Sequence, residues 1–242
     1  MSNTTPFNWS TLDRRSLYGV LNKIRSKVIN KPLVVHDLHS LIAEQIKANL
    51  PIRVGKRFDP KVKKGELWIG GLYHSDLDQE YRKSIEVTFN YNPGSSKLTI
   101  TAGRWKRICT LFADTVLHEI IHMRQYRVRN FKIIPDYPST AECTKQRESQ
   151  SYYGHRDEID AYGFNLACEL YDRFGSNYNK AIDYLENGKH KRSKKSVYYE
   201  YLKAFDFDYN HKVIKRLRKR AMRYFPYAQI GKPFKTQDWL YS

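Results

Sequence analysis

Paired cysteines are missing from this chain. It has three, Cys109, Cys143 and Cys168, an odd number with no CxxC spacing. That excludes a disulfide scaffold and a dithiol redox motif, and it fits a reducing compartment. Cys109 and Cys168 lie in apolar, helix-like stretches where thiols are commonly buried. Long apolar runs are missing too: no stretch of about eighteen apolar residues occurs, so no membrane span is expected. The segment from Met1 to Ser10 lacks the apolar core of a signal peptide. The expected location is therefore the cytoplasm, of a bacterial cell or a virus-infected host cell. Internal repeats are absent, which excludes a solenoid. Negative charge is scarce, with 25 Asp and Glu against 43 Lys and Arg, a formal net charge of +18. Such an excess points to anionic partners and says nothing of the fold.

What is present is a mixed pattern. Hydrophobic residues make up 40% of the 242 positions and aromatics 14%, too many for a disordered chain. Ser10-Thr11-Leu12-Asp13 has the spacing of a helix cap. Leu17, Val20, Leu21, Ile24 and Val28 then recur at helical intervals up to the break at Lys31-Pro32. A second helix is expected from about His36, burying Leu38, Leu41, Ile42 and Ile46 and ending at Leu50-Pro51. From Ile52 the character changes. Ile52 to Phe58, Glu66 to His74 and Ser84 to Tyr91 carry β-branched and aromatic residues. In the last, Ile85, Val87 and Phe89 alternate with Glu86, Thr88 and Asn90, as in a strand with one buried face. After the turn Asn92-Pro93-Gly94-Ser95, Lys97 to Thr101 is expected to return as the second strand of a hairpin.

A long helix is predicted from about Gly103 to Arg129, with Trp105, Ile108, Cys109, Phe112 and Val116 as its apolar stripe. A loop marked by Pro135 and Pro138 follows. Another helix runs from about His155 to Phe174 and stops at Gly175, and a shorter one covers Asn179 to Leu185. These features divide the chain into residues 1–51, an N-terminal helical segment, 52–188, the central α+β domain, and 189–242, a basic, aromatic-rich helical segment.

The chemistry concentrates on the long helix, in His118-Glu119-Ile120-Ile121-His122. Histidines four apart share one helix face, so both imidazoles can reach one ion. Glu119 is offset by one position, beside such an ion without binding it, where a general base is needed. Zinc needs a third protein ligand. The densest supply of donors is Tyr152-Tyr153-Gly154-His155-Arg156-Asp157-Glu158-Ile159-Asp160-Ala161. Glu158 is the candidate, with small Ala161 one turn on to permit close helix packing. His155 is the alternative ligand, or, with Tyr153 or Tyr152, a hydrogen-bond donor to an oxyanion. Asp114 stands one turn before His118, either orienting its imidazole or solvated at the surface. Asp157 and Asp160 are expected to point away, Asp160 with a supporting role open to it.

These motifs resemble the gluzincin group of zinc metallopeptidases, which pair HExxH with a downstream Glu on a second helix. They are similar also to small bacterial and phage-type peptidase domains that read HExxHxxQ, then Tyr and His, then Glu-x-x-Ala. Here the corresponding residues are His118 to Gln125, then Tyr153, His155, and Glu158 to Ala161. The resemblance covers roughly residues 66–174. It implies a zincin-like fold, a small twisted sheet beside an active-site helix, and one bound Zn2+ held by His118, His122 and Glu158. It implies hydrolysis of peptide bonds in a protein or peptide substrate, with Glu119 as general base. An edge strand would bind that substrate as an added strand. Glu66 to His74 is the candidate edge, with Gly70-Gly71 leaving room for a peptide or simply bending the strand.

Residues 189–223 hold thirteen Lys and Arg against three acidic residues. A linker, Lys189 to Lys195, is followed by an aromatic run containing Tyr198, Tyr199, Tyr201, Phe205, Phe207 and Tyr209. An amphipathic basic helix comes next, with Lys212, Lys215, Arg216, Arg218, Lys219, Arg220 and Arg223. Cations mixed with aromatics suit nucleic-acid phosphates and bases, and equally a docked helix with a solvated face. Two functional expectations follow. One is a zinc peptidase working near a nucleoprotein assembly. The other is a basic nucleic-acid-binding or assembly protein with a structural or inactive zinc site.

Overall fold

The structure, a computed structural model, describes residues 7–80, 82–94, 97–132, 146–188 and 196–228. It is an α+β protein. Among the described residues no helix is long and apolar enough to cross a membrane. The chain groups into two compact units, which in described residues are 7–123 and 124–228. The composition shifts near residues 51 and 188 lie inside these units.

In the first unit, Asp13 rather than Ser10 opens the first helix, α1 (Arg14–Asn22): its side chain accepts from the Ser16 amide, and Ser16 caps back to Asp13. The expected cap thus shifts by one turn, because Ser16 supplies the reciprocal bond. Leu17, Val20 and Leu21 are buried along α1. After α2 (Arg25–Val28) and β1 (Pro32–Val34), α3 (Val35–Lys47) buries Val35, Leu38, Ile42, Ala43 and Ile46, leaving Leu41 only half-buried.

Strands β2 (Arg53–Phe58), β3 (Leu67–Tyr73) and β4 (Ile85–Tyr91) form one sheet in the order β2-β4-β3. β4 pairs in parallel with β2 and antiparallel with β3. Its side chains alternate as expected: Ile85, Val87, Phe89 and Tyr91 are buried and Glu86, Thr88 and Asn90 are half-buried. A short helix, α4 (Ser75–Gln79), joins β3 to β4.

The expected hairpin does not form. β5 (Lys97–Thr99) instead pairs antiparallel with β1, Leu98 opposite Leu33, in a separate two-stranded sheet. Pro32 is tolerated there because it opens a strand that pairs on one side only, where a missing N–H costs least.

Helix α5 (Ala102–Val128) closes the unit. Its sequence suggested an amphipathic stripe, yet every residue from Val116 to Met123 is buried. A helix buried all round must accommodate whatever polar groups it carries. One of them is matched locally: the Asp114 carboxylate meets Arg14 of α1, with Nε–Oδ1 at 2.9 Å and Nη2–Oδ2 at 3.5 Å. Both residues are buried, so Asp114 is not a solvated surface charge.

The second unit is helical. It contains the end of α5, then α6 (Gln146–Gly154), α7 (Arg156–Phe174), α8 (Tyr178–Asn187), α9 (Val197–Ala204) and α10 (Lys212–Tyr224). Gly175 ends α7 with φ of 59°, a conformation that side chains resist. Pro135, Pro138, Cys143 and the linker Lys189–Lys195 lie outside the described residues. α7 and α10 come close at Gly163, where an added Cβ would stand 2.6 Å from Cβ of Arg220. The aromatics of residues 198–209 largely face inward. Tyr198, Tyr201 and Phe205 are buried in one core with Leu166, Leu170, Leu185 and Leu217. These three are core residues and not part of an exposed stacking platform, while Tyr199, Phe207 and Tyr209 are half-buried.

Replacing Arg14 by Ala leaves a buried carboxylate without its guanidinium and is expected to cost about 3–5 kcal/mol. Urea unfolding measures it. The double change Arg14→Met with Asp114→Leu should recover most of that loss, because no buried charge then remains.

Candidate metal centre

His118 and His122 fall one turn apart on α5, as their spacing requires. Their Nε2 atoms are 3.1 Å apart and the rings meet edge to face, with centroids 4.8 Å apart. Both are buried, His118 8% and His122 7% exposed. Two imidazole nitrogens at that distance cannot both carry a proton directed at the other, so at least one lone pair points into the gap.

Glu119 is buried in the same turn, beside strand β3. A Cβ added at Gly71 would stand 2.5 Å from Glu119 Oε1 and 2.6 Å from Thr115 Cγ2. At Gly70 the nearest atom to such a Cβ is Asn90 Nδ2 at 3.9 Å. The two glycines therefore differ. Gly71 permits the close approach of helix to strand, and Gly70 faces open space on the opposite side. β3 is the edge of its sheet, as expected of this segment, and Gly71 is itself exposed.

Glu158 lies in the first turn of α7 and is 1% exposed. One ligand atom each from His118, His122 and Glu158 lies within 4.8 Å of the others. Within the second unit, α7 is held on the last turns of α5. Helix α5 continues unbroken past His122, and Gln125, one turn on, donates to the Asp157 carbonyl at 3.2 Å and to the Asp160 carboxylate at 3.4 Å. Arg129, a further turn on, pairs with Asp157 at 2.8 Å. Asp157 and Asp160, expected to point away, brace α7 against the last turns of α5. Asp160 also pairs with Arg220 of α10 at 3.3 Å.

His155 is the N-cap of α7, its Nδ1 accepting from the Asp157 amide at 3.3 Å. The His/His/carboxylate group takes its third member from Glu158. Tyr153 packs its ring on Tyr201, with centroids 4.7 Å apart, and on Tyr152 and Tyr162. The hydroxyl of Tyr152, the other donor candidate, bonds to the Glu158 carboxylate and to Tyr162. Burial, reinforced by Tyr162 and Glu158, pushes the Tyr152 phenol well above its ordinary value. It therefore stays protonated and able to donate. Adjacent tyrosines on a helix point about 100° apart, and the sequence could not say which one met the carboxylate. Gln125 closes the HExxHxxQ pattern, and Arg129 follows it at a further turn, a spacing that places both on one side of α5.

The donor set fits zinc. Tetrahedral ligation with Zn–N bonds of about 2.0–2.1 Å sets the two nitrogens about 3.3 Å apart, close to the 3.1 Å observed. A comparison with family models, curated proteins and solved structures found no match.

Gly71→Ala should destabilise the protein by about 1–3 kcal/mol through overpacking against Glu119 and Thr115. Gly70→Ala should change stability by less than about 0.5 kcal/mol. Thermal melts of the two variants distinguish them, and equal losses would contradict the close approach at Gly71.

Proposed function

We propose that the chain is a zinc-dependent peptidase with a zincin-like active site, in which His118, His122 and Glu158 hold the metal and Glu119 is the general base. The observation that carries this is the buried turn of α5 that directs both Nε2 atoms into one gap, 3.1 Å apart, and buries a carboxylate next to them. Bound there, zinc would polarise a carbonyl and lower the pKa of a water.

The side chains supply the rest. Glu119 accepts the proton of the attacking water and returns it to the leaving amine, which needs a carboxylate near the metal that is not itself a ligand. The Tyr152 hydroxyl holds the Glu158 carboxylate in a fixed orientation, as supporting hydrogen bonds commonly do for metal ligands. Edge strand β3, open beside Glu119 at Gly71, is suited to an extended peptide that adds to the sheet. Among the described residues the group has three protein donors, which fit a site that keeps a position for substrate better than a structural zinc, which takes four. That comparison favours an enzyme over a structural or inactive zinc site.

The protein is expected to bind zinc one to one. Elemental analysis after dialysis should show occupancy lost in His118→Ala and His122→Ala and reduced in Glu158→Gln. Tyr152→Phe should weaken zinc affinity about tenfold or more, while His155→Gln and Tyr153→Phe retain it. A larger loss in His155→Gln than in Glu158→Gln would transfer the third position to His155.

Glu119→Gln should keep full zinc occupancy and lose at least about 100-fold in turnover of a peptide library, the usual contribution of a positioned general base. Wild-type turnover that this variant leaves intact would refute the assignment of the base. A zinc-loaded wild type that cleaves nothing in the library would favour the structural-site reading.

A further inference from the structure

We propose that one face of helix α10 is a docking surface for the phosphate backbone of double-helical nucleic acid. Val213, Ile214, Leu217, Ala221 and Tyr224 are the buried face of this helix. Opposite them Lys212, Lys215, Arg216 and Lys219 are all exposed. Their spacing, i, i+3, i+4 and i+7, aligns the four charges in one stripe about 10 Å long.

Two other cations of α10 have different work. Arg218 donates to the Tyr198 hydroxyl and to the Tyr209 carbonyl, and Arg220 pairs with Asp160. The helix has no acidic residue. Among the described residues no carboxylate forms an ion pair with Lys212, Lys215, Arg216 or Lys219. Four cations held within about two turns repel one another. A polyanion docked along the stripe would relieve that repulsion.

The surroundings select the partner. An amphipathic helix binds a membrane by inserting its apolar face, and here that face lies in the core of the unit. Single-stranded nucleic acid is held by aromatic stacking, but Tyr198, Tyr201 and Phe205 are buried and Phe207 meets Tyr199 edge to face. What remains is a rigid row of cations, suited to the closely spaced phosphates of a duplex and indifferent to sequence.

The test uses the full chain and a labelled 20-base-pair DNA duplex, titrated from 50 to 200 mM salt. Four phosphate contacts give a slope of log K against log salt of about −3.6, a loss of roughly 150-fold in affinity over that range. Changing Lys212, Lys215, Arg216 and Lys219 together to Gln should abolish most of that slope and weaken binding at least tenfold at 50 mM. Zinc content and the melting temperature report that the variant is folded. Exchanging the three lysines for Arg should preserve binding. A control that removes the same charge elsewhere, Arg57, Lys61, Lys63 and Lys64 to Gln, should bind as the wild type does. The proposal is overturned if the control loses as much as the stripe variant, or if no duplex binds at 50 mM salt. Marked preference for the single strand, or binding only to vesicles of anionic lipid, would overturn it as well.

Discussion

Complete burial of the α5 turn from Val116 to Met123 is the constraint on which the site depends. Ile120, Ile121 and their neighbours supply the apolar surface that drives the helix inside, at about 1.5–3 kcal/mol for each large side chain. The same rotation takes His118, Glu119 and His122 out of water, which is unfavourable unless each meets a partner. The protein accepts that cost where the imidazoles converge and where β3 gives up a side chain at Gly71. Charges near the site are matched in pairs, Asp114 with Arg14 and Asp157 with Arg129. Polar groups here are costly to displace, and such sites keep a defined geometry.

Much of this was legible in the sequence, for reasons particular to each element. The alternation in Ile85–Tyr91 and the extent of α5 follow from side-chain periodicity, as does the shared face of His118 and His122. Arg14 gave no signal, because its partner lies a hundred residues away and an arginine next to a helix cap is ordinary. The partner of β5 was misassigned because a turn beside a strand suggests a hairpin, whereas β1 is three residues long and opens on a proline. The tyrosines of residues 198–209 looked like a stacking surface beside basic residues. The rings of Tyr198 and Tyr201 are core, and the hydroxyl of Tyr198 is satisfied within it by the Leu185 carbonyl and Arg218.

The two cationic features of the C-terminal helices separate once side chains have neighbours. Arg218 and Arg220 act as internal ties, each satisfied by groups of its own unit. Burial with a hydrogen bond or an ion pair is where a guanidinium outperforms an ammonium. Three of the four exposed stripe positions are lysine, the more strongly hydrated cation, as suits a charge that stands in water.

Strand order has a kinetic consequence. β1 meets β5 only when Pro32 finds Thr99, and β2 lies parallel to β4 with β3 intervening in the chain. Such pairings close long loops before they gain any contact, and chains rich in them fold slowly. In the second unit α7 likewise packs on α10, across the intervening α8 and α9. The turn bearing His118, Glu119 and His122 packs on β3 at Gly71, so its surroundings depend on the register of β3 against β4. Zinc bound as proposed would then fasten a finished framework against unfolding and would not seed its assembly.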